Sequence, residues 1–448
     1  MAKVAAPSGF RDFLPDQYRK RQELLRRVRE TYETFGFEGM DTPAMESLRV
    51  FQGKAGENEK LMFQVLKRGA ELERALAART DELADLALRF DLTVPLARYY
   101  ASHRAELPSV FKRYQIGSVW RAERAQHGRF REFVQCDVDV LGSASMAVEA
   151  EVILATATAL AHLGFEGLRV RLNSRPLLHL LVRGAGIGDD LVGAAVIGVD
   201  KLDKESPDSV REELVRKGAP ATAVTTLLDL YGVSRKLDGD ALLAEVTTRA
   251  GAAGASHVAQ MREILALTPP LPSGRLVFDP FLARGMDYYT GPIFEVAADG
   301  IPFSLAGGGR FDDLIERLAG VKVPACGFSI GFERVYTLME ERGLFKTDTR
   351  AADVLVAIAT TDATIDALRL ATELRTAGLS VDVFPHAAKL GPQFELAERK
   401  RIPYAIVADP EKIRTNTLEV RDLATRQSTP VARAELPAWL RQRLDATK

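Results

Sequence analysis

Between residues 17 and 35, Leu24, Leu25, Val28, Tyr32 and Phe35 recur at steps of three and four with Arg and Glu between them. That spacing predicts an amphipathic helix, stopped by Gly36. The following GFEGMDTPAMES predicts a short strand closed by Pro43, whose missing N–H suits an edge or an interface. From 110 to 141 the period falls to two. Two β-like runs flank a polar, Gly-containing turn and predict a long antiparallel hairpin. Residues 147–163, rich in Ala and Leu and free of Gly, predict a helix ended by Gly164.

The character changes between about 176 and 270, where alanine-rich helical patterns near 210–217 and 242–250 occur without comparable strands. This predicts a helical insertion, its charged face either a solvated surface or a nucleic-acid contact. Strand-like runs return at 275–278, 293–297 and 303–306, the last followed by Gly307-Gly308-Gly309-Arg310. Residues 326–330 then lead into a helix over 331–341. Antiparallel strands with peripheral helices make an α+β domain over residues 1–345, interrupted by the insertion. Beyond 346–350, DVLVAIA, a helix over 363–377, SVDVFP, a helix near 393–401, YAIVAD and TLEVRDL predict a separate α/β domain at 352–448.

Composition narrows the function. A chain of 448 residues exceeds one ordinary core, and 46% apolar with 27% charged residues suits a folded, soluble protein. No stretch approaches the roughly 18 uninterrupted apolar residues of a membrane span, and residues 1–12 lack a signal-like pattern, so a cytoplasmic protein with no membrane partner is expected. Cys136 and Cys326 are the two cysteines, too few for a disulfide framework, and the six histidines are scattered, so no zinc is expected. Sixty basic residues against sixty-one acidic ones leave a formal charge of −1, which moves any question of nucleic-acid binding to local charge.

Locally the hairpin stands out. Lys112, Arg113, Arg121, Arg124, Arg129 and Arg131 fall within its span, a cost unless they are solvated or meet an anion. Arg121 follows Trp120, and Phe133 and Gln135 lie on the returning run. An arginine fork matches phosphate oxygens and an aromatic ring offers a face to a purine. A solvent-exposed charged hairpin is the plainer reading. Tyr288 and Tyr289, read as strand neighbours, should face opposite sides unless Gly285 and Gly291 bend the backbone. Arg334 falls near a helix N-terminus, where N–H dipoles also favour an anion. Three arginine-bearing segments in one domain suit a triphosphate better than any one of them does.

On these segments the chain resembles the class II aminoacyl-tRNA synthetases, and within them the histidine-specific family over essentially its whole length. The helix ending at Pro43 is similar to the class's first motif, WRAER with RFREFVQCDVD to its second, and GFSIGFER to its third. LARGMDYYTGPIFE and AGGGRFDDL resemble the two histidine-family signatures. The resemblance implies an antiparallel-sheet catalytic domain, a C-terminal anticodon-binding domain and a homodimer meeting through the first motif. It implies ATP as substrate with Mg2+, L-histidine, and the tRNA for histidine. By the family pattern Arg121 binds the α-phosphate, Phe133 stacks on adenine, Arg334 takes the outer phosphates and adenine's other face, and Arg129 helps with the γ-phosphate. Arg284 lies at the reacting phosphorus. Asp91, Thr93 and Gln135 meet the α-ammonium, while Asp139 and Tyr289 grip the imidazole nitrogens with Tyr288 close by. In the terminal domain Lys389, Arg399, Lys400, Arg401, Lys412 and Arg414 supply phosphate contacts.

FDLTVP and Asp139 carry Asp where the commoner bacterial form has the longer Glu, Asp313 stands where the family usually has Gly, and the 125–128 loop also differs. The alternative from another class is a catalytically silent regulatory subunit that senses histidine. The retained Arg121, Arg284 and Arg334 and the C-terminal domain argue against it.

Overall fold

The computed structural model describes residues 4–51, 61–80, 82–125, 129–284, 288–345 and 350–445. The chain divides into two compact units, Met1–Phe345 and Lys346–Lys448.

In the first unit an eight-stranded sheet runs in the order Glu38–Gly39, Phe111–Trp120, Glu132–Leu141, Ala325–Gly331, Ala306–Arg310, Pro292–Ala298, Leu168–Ser174, Gly274–Phe278. Its middle is antiparallel, as the sequence predicts, but both outermost pairings are parallel. Parallel neighbours need a long crossover, and between Leu168–Ser174 and Gly274–Phe278 the helical insertion supplies it. That insertion comprises helices Arg175–Gly184, Val192–Asp200, Pro207–Arg216, Ala221–Ser234 and Gly239–Leu267, the last broken at Gly251, where φ is 65°.

The first helix spans Pro15–Thr34 and buries Leu24, Val28 and Tyr32 completely, while Gly36 ends it at φ 74°. The predicted strand around Pro43 is split. Glu38–Gly39 joins the large sheet, and Met45–Ser47 pairs with Ala84–Leu88 in a separate sheet that also holds Gln64–Leu66. With no N–H to donate, Pro43 falls between the two pieces.

A second correction concerns the glycine run. The strand is Ala306–Arg310, containing Gly307, Gly308 and Gly309, rather than 303–306. Glycine is a poor strand former, but here neighbours occupy the space of a side chain: a Cβ on Gly309 would meet Pro292 O at 2.7 Å, and one on Gly307 would overlap the Arg284 guanidinium. The strand Leu168–Ser174 is unanticipated, although Leu168, Val170 and Leu172 alternate with polar residues and are buried. Asp313 sits in the first turn of helix Asp312–Ala319, where a negative charge is favourable and no positive φ calls for glycine.

The second unit is a five-stranded sheet in the order Val381–Val383, Val354–Ile358, Tyr404–Ala408, Thr417–Asp422, Ser428–Ala432. The first three strands are parallel and the rest antiparallel. Helices Thr364–Thr376, Leu390–Arg399 and Leu436–Asp445 contribute to its core.

Candidate active site

The hairpin pairs Phe111 with Leu141 through to Trp120 with Glu132, without a slip. Register fixes which side chains share a face. Phe133, Gln135, Asp137 and Asp139 stand at every second position of the returning strand and line one cavity of about 610 Å³, while Cys136, Val138 and Val140 are buried in the core. All eleven residues expected at the substrates line that cavity: Asp91, Thr93, Arg121, Arg129, Phe133, Gln135, Asp139, Arg284, Tyr288, Tyr289 and Arg334. Residues 285–287 of the histidine-family signature and 126–128 of the unusual loop lie outside the described residues.

One group of lining residues is acidic. Asp91 Oδ1 accepts a hydrogen bond from Val94 N–H at 3.1 Å, leaving its buried Oδ2 without a partner. Burial pushes its carboxyl up to about 6, against help from Val94 N–H and Arg121. Asp137 and Asp139 are likewise raised by burial, although Arg113 opposes the shift in both. Arg113, completely buried, places Nη2 at 2.7 Å from Asp139 Oδ2. Arg113 offsets the effect of burial only in part, because three carboxylates are buried around one cavity. Gln135 Nε2 donates to Ser329 Oγ at 3.0 Å, and its Oε1 has no partner.

The other group is cationic. Arg121 Cζ lies 5.1 Å from the Phe133 ring centroid and its Nε donates to Phe90 O at 3.0 Å. Arg334, in the first turn of helix Phe332–Glu341, donates from Nη1 to Ser304 O at 3.0 Å. Burial lowers its affinity for a proton, as do Arg129, Arg284 and Arg121. Mutually repelling guanidinium groups held at one cavity are costly unless an anion arrives.

The six hairpin cations therefore divide by position. Lys112 pairs with Glu151 at 2.6 Å, Arg113 is buried against Asp139, Arg129 meets Glu123 at 3.1 Å, and Arg131 donates to Glu123 O at 2.9 Å. Arg121, just past the end of the outgoing strand, and Arg129 border the cavity, and Arg124 is not among its lining residues.

For Tyr288 and Tyr289 the alternation of a strand does not apply, and the placement that the family resemblance implies is the one found. They lie outside any strand, their ring centroids are 5.0 Å apart at 66°, and both reach the cavity. Asp137, Arg113, Ser329 and Glu295 were not anticipated at the site. Asp137 was findable, because Gln135, Asp137 and Asp139 share a face by their spacing alone. Glu333 also lines the cavity and is held by Arg11 and by both nitrogens of the Arg21 fork at 2.7 Å.

Comparison with known proteins supplies the family. The histidyl-tRNA synthetase family model matches residues 9–335, and an anticodon-binding domain model matches 353–443. A histidine–tRNA ligase of Leifsonia xyli subsp. xyli is 46% identical, over 75% of this chain and 80% of its own length. One from Xanthomonas axonopodis pv. citri is 36% identical, over 100% of this chain and 98% of its own. Among solved structures, the histidyl-tRNA synthetase of Nostoc sp. PCC 7120 covers 99% of this chain, and is itself covered fully, at 27% identity and a TM-score of 0.81. With the family model and a full-length relative in agreement, the chain belongs to the histidyl-tRNA synthetase family.

Proposed function

We infer that the chain is a histidine–tRNA ligase that activates L-histidine with ATP and transfers it to the 3′ end of its tRNA. One observation carries the reading for the site: a single cavity joins a group of buried carboxylates to a group of arginines. Histidine presents an ammonium and a two-nitrogen ring to the first, and ATP presents phosphates to the second. The relatives are ligases, which disfavours the silent regulatory alternative.

In the proposed reaction a carboxylate oxygen of histidine attacks the α-phosphorus, the bond to pyrophosphate breaks, and histidyl-adenylate forms. A hydroxyl of the terminal adenosine then attacks the carbonyl and AMP leaves. No protein nucleophile is required. Arg121 holds the α-phosphate, Phe133 and Arg334 sandwich adenine, and Arg334 with Arg129 meets the outer phosphates. Arg284 stabilises the charge that grows as pyrophosphate leaves, an effect commonly worth several kcal/mol. Asp91, Thr93 and Gln135 take the α-ammonium, consistent with the unpartnered Asp91 Oδ2 and Gln135 Oε1. Asp139 and Tyr289 take the ring nitrogens, with Tyr288 beside them. A phenylalanine would leave those two groups unpaired, at about 1–3 kcal/mol each.

Magnesium, which the family implies, fits as an ion carried by the phosphates: among the described residues no three potential ligands converge, so phosphate oxygens and water would hold it. The reading invokes no zinc. Residues 1–345 form the catalytic part with the 176–270 insertion, and 352–448 the part that reads the tRNA. We propose a homodimer meeting through the first helix and the Pro43 segment, where Tyr18 and Met45 are exposed apolar residues. A cytoplasmic location accords with a described chain in which no helix is long and apolar enough to cross a membrane.

ATP–pyrophosphate exchange with each amino acid in turn tests the reading. Exchange should depend on histidine. Exchange with another amino acid and none with histidine would overturn the specificity, and none with any would restore the silent alternative.

A further inference from the structure

Arg284 is held in place by a row of charged residues that the substrates do not touch in the reading above. Its Nη1 donates to Glu295 Oε2 at 2.7 Å, and its guanidinium lies over Gly307, whose missing side chain leaves it the room. Glu295 pairs with Gly307 on one neighbouring strand and with Arg171 on the other, so the three form a row across the sheet. Arg171 is nearly inaccessible. Its Nη1 is 3.5 Å from Glu295 Oε1, its Nε donates to Asp279 at 2.8 Å, and its fork also grips Asp203.

Asp203 comes from the helical insertion, in the short turn Lys201–Asp203 that continues helix Val192–Asp200. Three residues earlier, Asp200 reaches the cavity wall itself. The insertion therefore touches the site twice, once directly and once through Arg171 and Glu295.

We propose that Glu295 is the positioning residue for Arg284, and that the Arg171–Asp203 clasp makes that positioning depend on the insertion. The inference rests on the catalytic reading of Arg284. Among the described residues Glu295 is the side chain that anchors this guanidinium, whose buried Nε has no partner, and a long side chain is oriented by such an anchor. Glu295, in turn, is fixed at its other oxygen by Arg171. A shift of the insertion that pulls Asp203 would move Arg171, then Glu295, then the guanidinium at the reacting phosphorus.

Single-turnover formation of histidyl-adenylate, with separate dissociation constants for ATP and histidine, tests the chain. Glu295→Gln keeps the shape and removes the charge. It should slow the single turnover on the order of 100-fold, as misplacement of a reacting group does, while both dissociation constants stay near the wild-type values. Asp203→Asn, at a side chain 43% exposed, should slow it by roughly 2- to 30-fold and add little in the Glu295→Gln background. A wild-type rate in Glu295→Gln would overturn the positioning role. Independent, multiplying losses in the double variant would overturn the link to the insertion. Arg284→Ala separates the two levels: a normal rate there sinks the catalytic reading, whereas a slow Arg284→Ala with a normal Glu295→Gln sinks the positioning proposal alone. If Glu295→Gln fails to fold, Asp203→Asn decides, and a wild-type rate in it overturns the relay.

Discussion

Arg113 and Asp139 face each other across the two strands of the hairpin, Nη2 2.7 Å from Oδ2, with both side chains shut off from solvent. A buried arginine is tolerable only beside an anion, and a buried carboxylate beside the Asp137 carboxylate is tolerable only near a cation. Asp139 is thereby held at a fixed height on the cavity wall, although it is one methylene shorter than the Glu of the commoner form. Arg113→Met should therefore destabilise the fold by about 3–5 kcal/mol, the usual cost of stranding one partner of a buried pair. Urea unfolding measures this. The double variant Arg113→Met with Asp139→Asn should recover part of the loss. Strictly additive losses would mean that the two residues are not coupled.

The hairpin was legible because alternation over two ten-residue runs leaves little choice of element or face. Its pairing partners were not. Whether Arg113 opposes Asp139 depends on the register, and the register is set by a turn whose geometry composition alone does not fix. The glycine strand was invisible for the opposite reason. Propensity speaks against Gly307–Gly309 as a strand, and the space that demands glycine there is created by Arg284 and the backbone of neighbouring strands, remote in sequence. For Tyr288 and Tyr289 a two-residue period says nothing, because the segment is not a strand; that both reach the cavity follows the family resemblance instead.

A buried carboxylate whose pKa is raised opposes folding once it ionises. Asp91 moves from an ordinary 3.8 to about 6, so between those values the native state holds more protons than the unfolded chain. Its contribution to stability therefore falls as pH rises from about 4 to about 6, by on the order of 3 kcal/mol in total. Asp91→Asn keeps an oxygen for Val94 N–H but carries no charge. It should be more stable than wild type at pH 7 and should bind histidine poorly. Denaturant unfolding at pH 4.5 and pH 7 checks the first claim, and equal stability of the two proteins at both pH values would refute it.

Gly327 stands opposite Asp139 on the adjoining strand. A Cβ there would overlap the Asp139 carboxylate and come within 3.0 Å of Val138 O. With Arg113 gripping its other side, Asp139 has nowhere equivalent to go. Gly327→Ala should therefore raise the KM for histidine at least tenfold, about 1.4 kcal/mol of lost binding, with a much smaller effect on the KM for ATP. Pyrophosphate exchange at varied histidine and varied ATP separates the two, and parallel rises in both constants would show that the strand as a whole had shifted.

In the second unit the six cations offered for tRNA are not equivalent. Lys400 is paired with Asp382 at 2.7 Å and Lys412 with Glu419 at 3.1 Å, so a phosphate would have to compete for each. Lys389, Arg399 and Arg414 are exposed on and around the Leu390–Arg399 and Pro410–Arg414 helices. If this face receives the RNA backbone, charge reversal at the exposed set should act through phosphate contacts and counterion release. Lys389→Glu with Arg399→Glu should then raise the KM for tRNA and flatten its dependence on salt, while histidine-dependent pyrophosphate exchange, which needs no tRNA, stays at the wild-type rate. Lys400→Ala should do less, because its charge is already partly satisfied by Asp382. Aminoacylation at two salt concentrations reads both effects. An unchanged tRNA KM in the double reversal would move the RNA contact to another face of the unit, and a fall in exchange would mean that the substitutions act on the catalytic part instead.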